Sequence, residues 1–300
     1  MAVLTHSARR DDTTRTVPPV PTRRKRRGRG VTRTLNGVAV VVAALFAFPI
    51  YWMINTSFKS ANEYQTFTPH FLPQSPTVDN YTSAVHVLNF GDDLINSIIL
   101  TLVSVSISLV VGFLGALAIA RFRFHGRKSL IFVVMMVQML PMAVMILPMY
   151  KILAGIHQTD SLWGVVAIYI GLILPYMVWT LRGFIVNVPK ELDEAALVDG
   201  CSRWQTFYRI ILPLVGPGLV ATSLYGFIQI WNEWLVISTI NRDNTKHNLM
   251  MWLTDQTTLR GTAWGPLMAS AVITSLPVVA VFLLIQRHIA TGLTAGAVKG

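Results

Sequence analysis

The sequence predicts an all-α membrane protein with six transmembrane helices. Apolar residues make up 53% of the 300-residue chain and charged residues only 13%, against roughly 25% charged in a soluble domain. Six stretches are mostly apolar and about 20 residues long, the length that crosses ~30 Å of hydrocarbon at ~1.5 Å per residue. The charges, with a formal net of +11, are clumped between those stretches. This apolar content excludes disorder over most of the length. A single cysteine, Cys201, excludes a disulfide framework.

The first segment, residues 1–32, is expected to be a disordered basic tail. Ten of the 25 basic residues precede Leu35, only Asp11 and Asp12 oppose them, and the interleaved Thr and Pro leave no apolar face. The tail carries no aromatic residue to stack on a base. It therefore reads as a topology-fixing segment near anionic membrane lipid, with no nucleic acid as partner.

The transmembrane domain is expected over residues 33–289, with spans at about 34–54, 94–120, 129–150, 161–181, 210–240 and 263–286, the fifth long and interrupted. The apolar core of the first span is too long for a signal-peptide h-region and no A-x-A site follows, so it is expected to stay uncleaved. Beyond the basic tail, Lys and Arg still favour one side of the bundle by ten to five. The positive-inside rule makes that side the cytoplasm, with both termini there. Pro141, Pro148, Pro175, Pro213, Pro217 and Pro277 fall inside the spans. Each removes a backbone donor and tends to kink its helix. Freed carbonyls at membrane depth are tolerated only against protein or a wet cavity. The kinks suit a path that opens and closes, and they also suit a purely structural role.

The loop 182–209 between the fourth and fifth spans is the most informative stretch. Pro189 suits the first position of a short helix, with Glu191, Asp193 and Glu194 near its positive end. Gly200 is placed to stop that helix in a left-handed turn. Ser202 then caps a second helix, and Gln205 completes a capping box. Trp204, Phe207, Tyr208 and Ile211 recur at helical spacing before Leu212-Pro213 leads back into the membrane.

Within the expected spans the acid is Glu233, flanked by Trp231 and Trp234, with Asn232 beside it and Gln229 one turn before. A carboxylate at membrane depth costs about 2.5–3.5 kcal/mol on insertion scales, so it should face the bundle interior or water. Aromatic faces among amide and carboxylate groups suit a sugar. Two readings stand for this cluster and for Gln138 in the third span: lining a transport path, or structural pairing between helices.

Catalytic chemistry finds no support. None of the seven lysines is preceded by Gly and followed by Ser or Thr, so the phosphate-cradling G-x-x-x-x-G-K-[ST] loop is absent. The seven histidines show no metal-ligand spacing, and no Ser-His-Asp or paired-carboxylate arrangement can be built.

Glu194-Ala195-Ala196, three residues, Gly200, nine residues, Ile210, one residue, Leu212-Pro213 resembles the EAA loop of bacterial ABC importer permeases. The likeness extends over about 48–300. Asn80-Tyr81, Asn96-Ser97, Ala120-Arg121-Phe122-Arg123-Phe124 with Gly126-Arg127, Trp231-Asn232-Glu233 and the terminal 292–300 stretch all resemble carbohydrate-importer permeases, relatives of the smaller membrane subunit of the maltose transporter. Cys201, where the family usually has Ala, is a small departure.

The resemblance implies a type I ABC importer fold and uptake of a carbohydrate, with a di- or oligosaccharide as cargo. It makes 182–209 a coupling loop that docks on an ATPase through Glu194, Ala195, Ala196, Asp199, Gly200, Trp204 and Phe207. The cytoplasmic tail 290–300 would reach between ATPase subunits through Gly292, Gly296, Lys299 and Gly300. The implied partners are a second, different permease subunit, two cytoplasmic ATPase subunits and an extracytoplasmic sugar-binding protein. ATP and Mg would be bound by the ATPase partners, with no cofactor in this chain. The rival readings are an ion-driven secondary transporter, which would want several intramembrane ionisable groups, and a non-transporting scaffold.

Overall fold

The computed structural model describes residues 29–294 apart from 67, 87, 88, 259 and 260. Most of the expected basic tail, 1–28, and the last six residues lie outside these bounds. The chain divides into two compact units, 1–49 and 50–300. The described part of the first is the beginning of α1 (Arg29–Ser57), so the last four residues of the expected tail are already helical. Its large apolar side chains, among them Leu35, Leu45 and Phe46, are exposed.

The second unit continues from the end of α1 through two short helices, α2 (Ala61–Tyr64) and α3 (Asp79–Val85). Asn80 ties α3 down, its amide donating to Ser57 O at 2.9 Å and Lys59 O at 2.7 Å. α4 (Phe90–Arg121) starts four residues before the expected span and so takes Asp92 and Asp93 into its first turn. Glu233 is therefore not alone among acids at the ends of the spans.

The third hydrophobic segment is broken into two helices. It is α5 (Arg127–Gln138) and α6 (Met142–Gly155), bent by 103° at the break. Pro141 supplies no backbone donor and disfavours helical backbone at Leu140, and it sits extended at φ −62°, ψ 129°. At ~1.5 Å per residue the two halves reach only about 18 and 21 Å, so neither crosses the hydrocarbon alone. The other interior prolines leave their helices continuous.

α7 (Leu162–Val186) is followed by α8 (Lys190–Val198) and α9 (Arg203–Thr206). A π-helical turn, Phe207–Ile211, runs without interruption into α10 (Leu212–Trp231). The expected fifth span ends early, at Trp231; α11 (Leu235–Ile240) is a separate helix. α12 (Leu249–Thr254) and a two-stranded antiparallel pair, β1 (Thr257–Thr258) and β2 (Gly261–Thr262), precede α13 (Trp264–Thr294). α13 carries helix five residues into the segment expected as a cytoplasmic tail, 290–300. Among the described residues, five helices are long and apolar enough to cross a membrane, and the bent pair makes up to six.

α4 and α7 form the centre of the core. Ser104, Ser108, Gly112 and Ala116 recur every fourth residue of α4, and all are buried. Such a stripe of small residues lets two backbones approach. A Cβ added at Gly112 would lie 3.0 Å from Met177 Cβ on α7, and one at Gly226 of α10 would lie 2.6 Å from the tip of Met177. Met177, Tyr169, Ile173, Leu181 and Ile230 fill the space between these helices.

Candidate functional site: an elbow beneath the bundle and a cavity within it

Local sequence builds the elbow of α8 and α9 residue by residue. Pro189 is extended (φ −56°, ψ 136°) and precedes α8, one position earlier than expected, with Glu191 and Asp193 in the first turn. At the other end Gly200 takes φ +83°, a backbone that strains any residue with a Cβ. Cys201 N donates to Ala196 O at 2.9 Å and Gly200 N to Leu197 O at 3.2 Å, a complete Schellman closure. Ser202 and Gln205 form the expected capping box, with bonds of 3.2 and 2.8 Å.

Two faces of α8 divide the work. Asp193 and Ala196, three residues apart, face the chain's own bundle. Arg121 at the end of α4 pairs with Asp193 at 2.9 Å and donates to Val188 O at 3.1 Å, clipping the elbow to the membrane helices. Burial pushes the Asp193 carboxyl above its ordinary value, outweighing the opposite pull of Arg121. Ala196 is 4% exposed, so of the two alanines expected at a partner's surface only Ala195 is accessible. Glu194, Ala195, Asp199 and Gly200 are exposed, as are the apolar Leu192, Val198 and Trp204. Val198 is 87% and Trp204 65% exposed. Phe207 is half-buried; Trp204 stacks on it with ring centroids 4.9 Å apart, and it leans on Phe113 of α4 at 5.5 Å.

A cavity of about 590 Å³ opens among α5, α6, α7, α10 and α11. Gln138, Gln229, Asn232 and Glu233 all line it, as do Tyr176, Tyr225 and Trp234, with no lysine or arginine among the described residues of its wall. Trp231 does not reach it. One position along a helix turns the side chain by about 100°, and Trp231 is 2% exposed, its indole N–H donating to Thr274 O of α13 at 3.0 Å. Its expected place on the path is therefore corrected to a structural bond between α10 and α13.

Glu233 lies in the break after α10. Its Oε2 accepts from the Tyr169 hydroxyl at 2.9 Å and its Oε1 from Val236 N at 2.9 Å, while its backbone carbonyl accepts from Asn248 Nδ2 at 2.8 Å. The carboxylate thus holds the start of α11 and pairs between helices at the cavity's edge. Gln229 Nε2 donates to the Tyr225 hydroxyl at 2.6 Å, and Tyr225 stacks on Tyr176 with centroids 3.7 Å apart. The tyrosines were not singled out from the sequence. The i, i+4 spacing of Tyr225 and Gln229 was the available signal for one of them. Of the four terminal glycine and lysine positions, Gly292 ends up in the last turn of α13, and Gly296, Lys299 and Gly300 lie outside the described residues.

The elbow and the cavity share one rod. α9, the π turn and α10 make 29 continuous residues from Arg203 to Trp231, about 43 Å at ~1.5 Å per residue. The chain is similar to known proteins in sequence and in fold. The diacetylchitobiose uptake permease DasC of Streptomyces coelicolor is 40% identical over 265 residues, covering 88% of this chain and 96% of that protein. The trehalose transport permease SugB of Mycobacterium tuberculosis is 30% identical, covering 87% and 95%. A bacterial ABC transporter involved in alginate import contains a chain with the same fold, with a TM-score of 0.74 at 21% identity, covering 87% of this chain and 97% of that one. Residues 108–294, which hold the elbow, the rod and the cavity's main walls, match the binding-protein-dependent transport system inner membrane component, and it is to this family of multi-pass membrane permeases that the chain belongs.

Proposed function

We propose that the chain is one half of a heterodimeric permease in an ATP-driven importer of a neutral di- or oligosaccharide. The observation that carries this reading is the rod: an exposed, rigidly capped elbow at one end and a cavity-lining group of Tyr225, Gln229, Asn232 and Glu233 at the other. In this reading the elbow side and both termini are cytoplasmic, following the excess of Lys and Arg there. Two ATPase subunits bind ATP and Mg and grip the elbow through Val198, Trp204, Glu194 and Ala195. An extracytoplasmic sugar-binding protein delivers cargo on the opposite side. Closure of the ATPase pair displaces the elbow, and the rod carries that displacement to the cavity, shifting it between two openings.

The wall chemistry supports a sugar. Tyr176, Tyr225 and Trp234 offer aromatic faces, Gln138, Gln229 and Asn232 offer amides, and the wall contains no cation to favour an anionic cargo. Relatives named for diacetylchitobiose and trehalose uptake point the same way. Glu233 serves the path as a positioning residue, since its carboxylate is engaged by Tyr169 and Val236. That engagement argues against its use as a coupling-ion site. The tail beyond Gly292 is assigned to contact with the ATPase pair.

Reconstitution in liposomes with the partner permease, ATPase and binding protein tests the reading. Binding protein loaded with a di- or oligosaccharide should stimulate ATP hydrolysis and drive sugar into the lumen. ATP hydrolysis indifferent to loaded binding protein would overturn it.

A further inference from the structure

A second cavity, of about 690 Å³, lies on the elbow's side of the bundle and shares no lining residue with the sugar-path cavity. Its wall is the α4–α5 loop, the start of α5 and Arg182 near the end of α7. Arg123, His125, Arg127, Lys128 and Arg182 line it, and among the described residues no carboxylate does. None of them pairs with an acid: the ion pairs among the described residues are Arg121–Asp193 and Lys246–Asp243. The Nε atoms of Arg127 and Arg182 are buried without a hydrogen-bond acceptor.

α5 also opens here uncapped. Gly126 precedes it at φ +83°, with no side-chain bond and no acid in the first turn. The positive end of its dipole therefore adds to the same field. Four arginine and lysine side chains around one space repel each other unless an anion sits between them. Toward the bilayer, Leu130, Phe132 and Val133 of α5 and Trp179 of α7 are exposed apolar side chains.

We propose that this cavity seats the phosphate headgroup of an anionic phospholipid, with its acyl chains along the exposed faces of α5 and α7. Basic pockets between transmembrane helices are suited to such headgroups. The adjoining apolar faces favour a lipid over free phosphate. Only the assignment to the cytoplasmic leaflet rests on the orientation proposed above; the headgroup contact does not.

The test uses the assembled transporter in nanodiscs, read by native mass spectrometry after release. Discs containing phosphatidylglycerol should leave a retained lipid that phosphatidylcholine discs do not, and millimolar inorganic phosphate should not displace it. The triple substitution Arg123→Gln, Arg127→Gln, Lys128→Gln should weaken retention about a hundredfold, at roughly a factor of five per basic residue. Arg123→Lys with Arg127→Lys should retain the lipid, which separates lost charge from lost folding. Lys151→Gln, outside the cavity, should change nothing. Equal retention in the triple variant, displacement by phosphate, or exclusion of the lipid when the ATPase subunits bind would each overturn the proposal. Stimulated ATP hydrolysis measured on the same samples keeps the two readings apart. Stimulation without a retained lipid refutes this inference alone, and a retained lipid without stimulation refutes the importer reading alone.

Discussion

Replacing Arg121 by Gln should release the elbow from the bundle while leaving the bundle intact. Arg121 lies 2.9 Å from Asp193 and also holds Val188 O at 3.1 Å. The pair's side chains are 10% and 20% exposed, between the exposed pairs worth about 0–1 kcal/mol and the buried ones whose breakage costs about 3–5 kcal/mol. Discounted for that partial screening, and with the charged hydrogen bond to Val188 added, Arg121→Gln should cost about 2–4 kcal/mol of anchoring. That is a factor of roughly 30 to 1,000 in the open population. Asp193→Asn should cost less than Arg121→Gln, because burial already disfavours its charged form more than Arg121 restores it.

The sign for pH follows from the same carboxyl. A folded-state pKa raised by burial means that the folded elbow holds its proton more tightly than the unfolded chain. Anchoring is then full below the ordinary carboxylate value and weakens as pH rises through the raised one. Hydrogen exchange of the 195–201 amides, corrected for intrinsic rate, measures this opening. Arg121→Gln should accelerate it by the factor given, with the 173–181 amides of α7 unchanged, and Asp193→Asn should flatten its pH dependence. Exchange equal to wild type in Arg121→Gln, or faster in Asp193→Asn than in Arg121→Gln, would refute the clip and its asymmetry.

Three further outcomes follow from other contacts. Trp231→Phe removes the indole donor to Thr274 O and should lower stability by about 1–3 kcal/mol, seen as a fall in Tm; sugar uptake affinity should not change, since this side chain is buried away from the cavity. Gly218→Ala drives a methyl into the ring of Phe184 and should cost about 1–3 kcal/mol, recovered in part by the double variant with Phe184→Leu. Asp243 has its carboxyl held down to about 2 by the Thr245 hydroxyl and amide and then by Lys246. Its local order should persist above the ordinary carboxylate value and be lost only as pH falls through about 2, a titration that Thr245→Val should move upward and that NMR of the carboxyl carbon would follow.

How much could be read in advance divides along the range of the interactions. The elbow was legible because its determinants are a few residues apart: Gly200 closes α8 onto Ala196 and Leu197, and Ser202 and Gln205 cap each other. The spans were legible because hydrocarbon selects length and apolarity alone. Pro141 marked a break in the third segment, but local sequence carried no signal for its 103° angle. That the fifth segment is interrupted was legible, but the place of the break was not, because Leu235–Ile240 is apolar too; Glu233 holds the break by taking bonds from Tyr169, 64 residues away, and Val236. Trp231 and Asn232 are neighbours in sequence yet go to opposite destinations, which composition cannot tell. Ala196 looked available for a partner until the Arg121–Asp193 pair fixed which face of α8 turns inward. The stacked Tyr176 and Tyr225 come from different helices, so only tertiary packing assembles them.

Cross-linking at the elbow tests the central claim most directly. Cys201 is the single cysteine, so Val198→Cys in a Cys201→Ser background places one thiol on the outward face of α8. With the ATPase subunits present it should form a disulfide to a cysteine on their surface, and that bond should halt sugar uptake until it is reduced. Uptake at the wild-type rate through the cross-linked complex, or with the thiol never approached by the ATPase, would contradict the account.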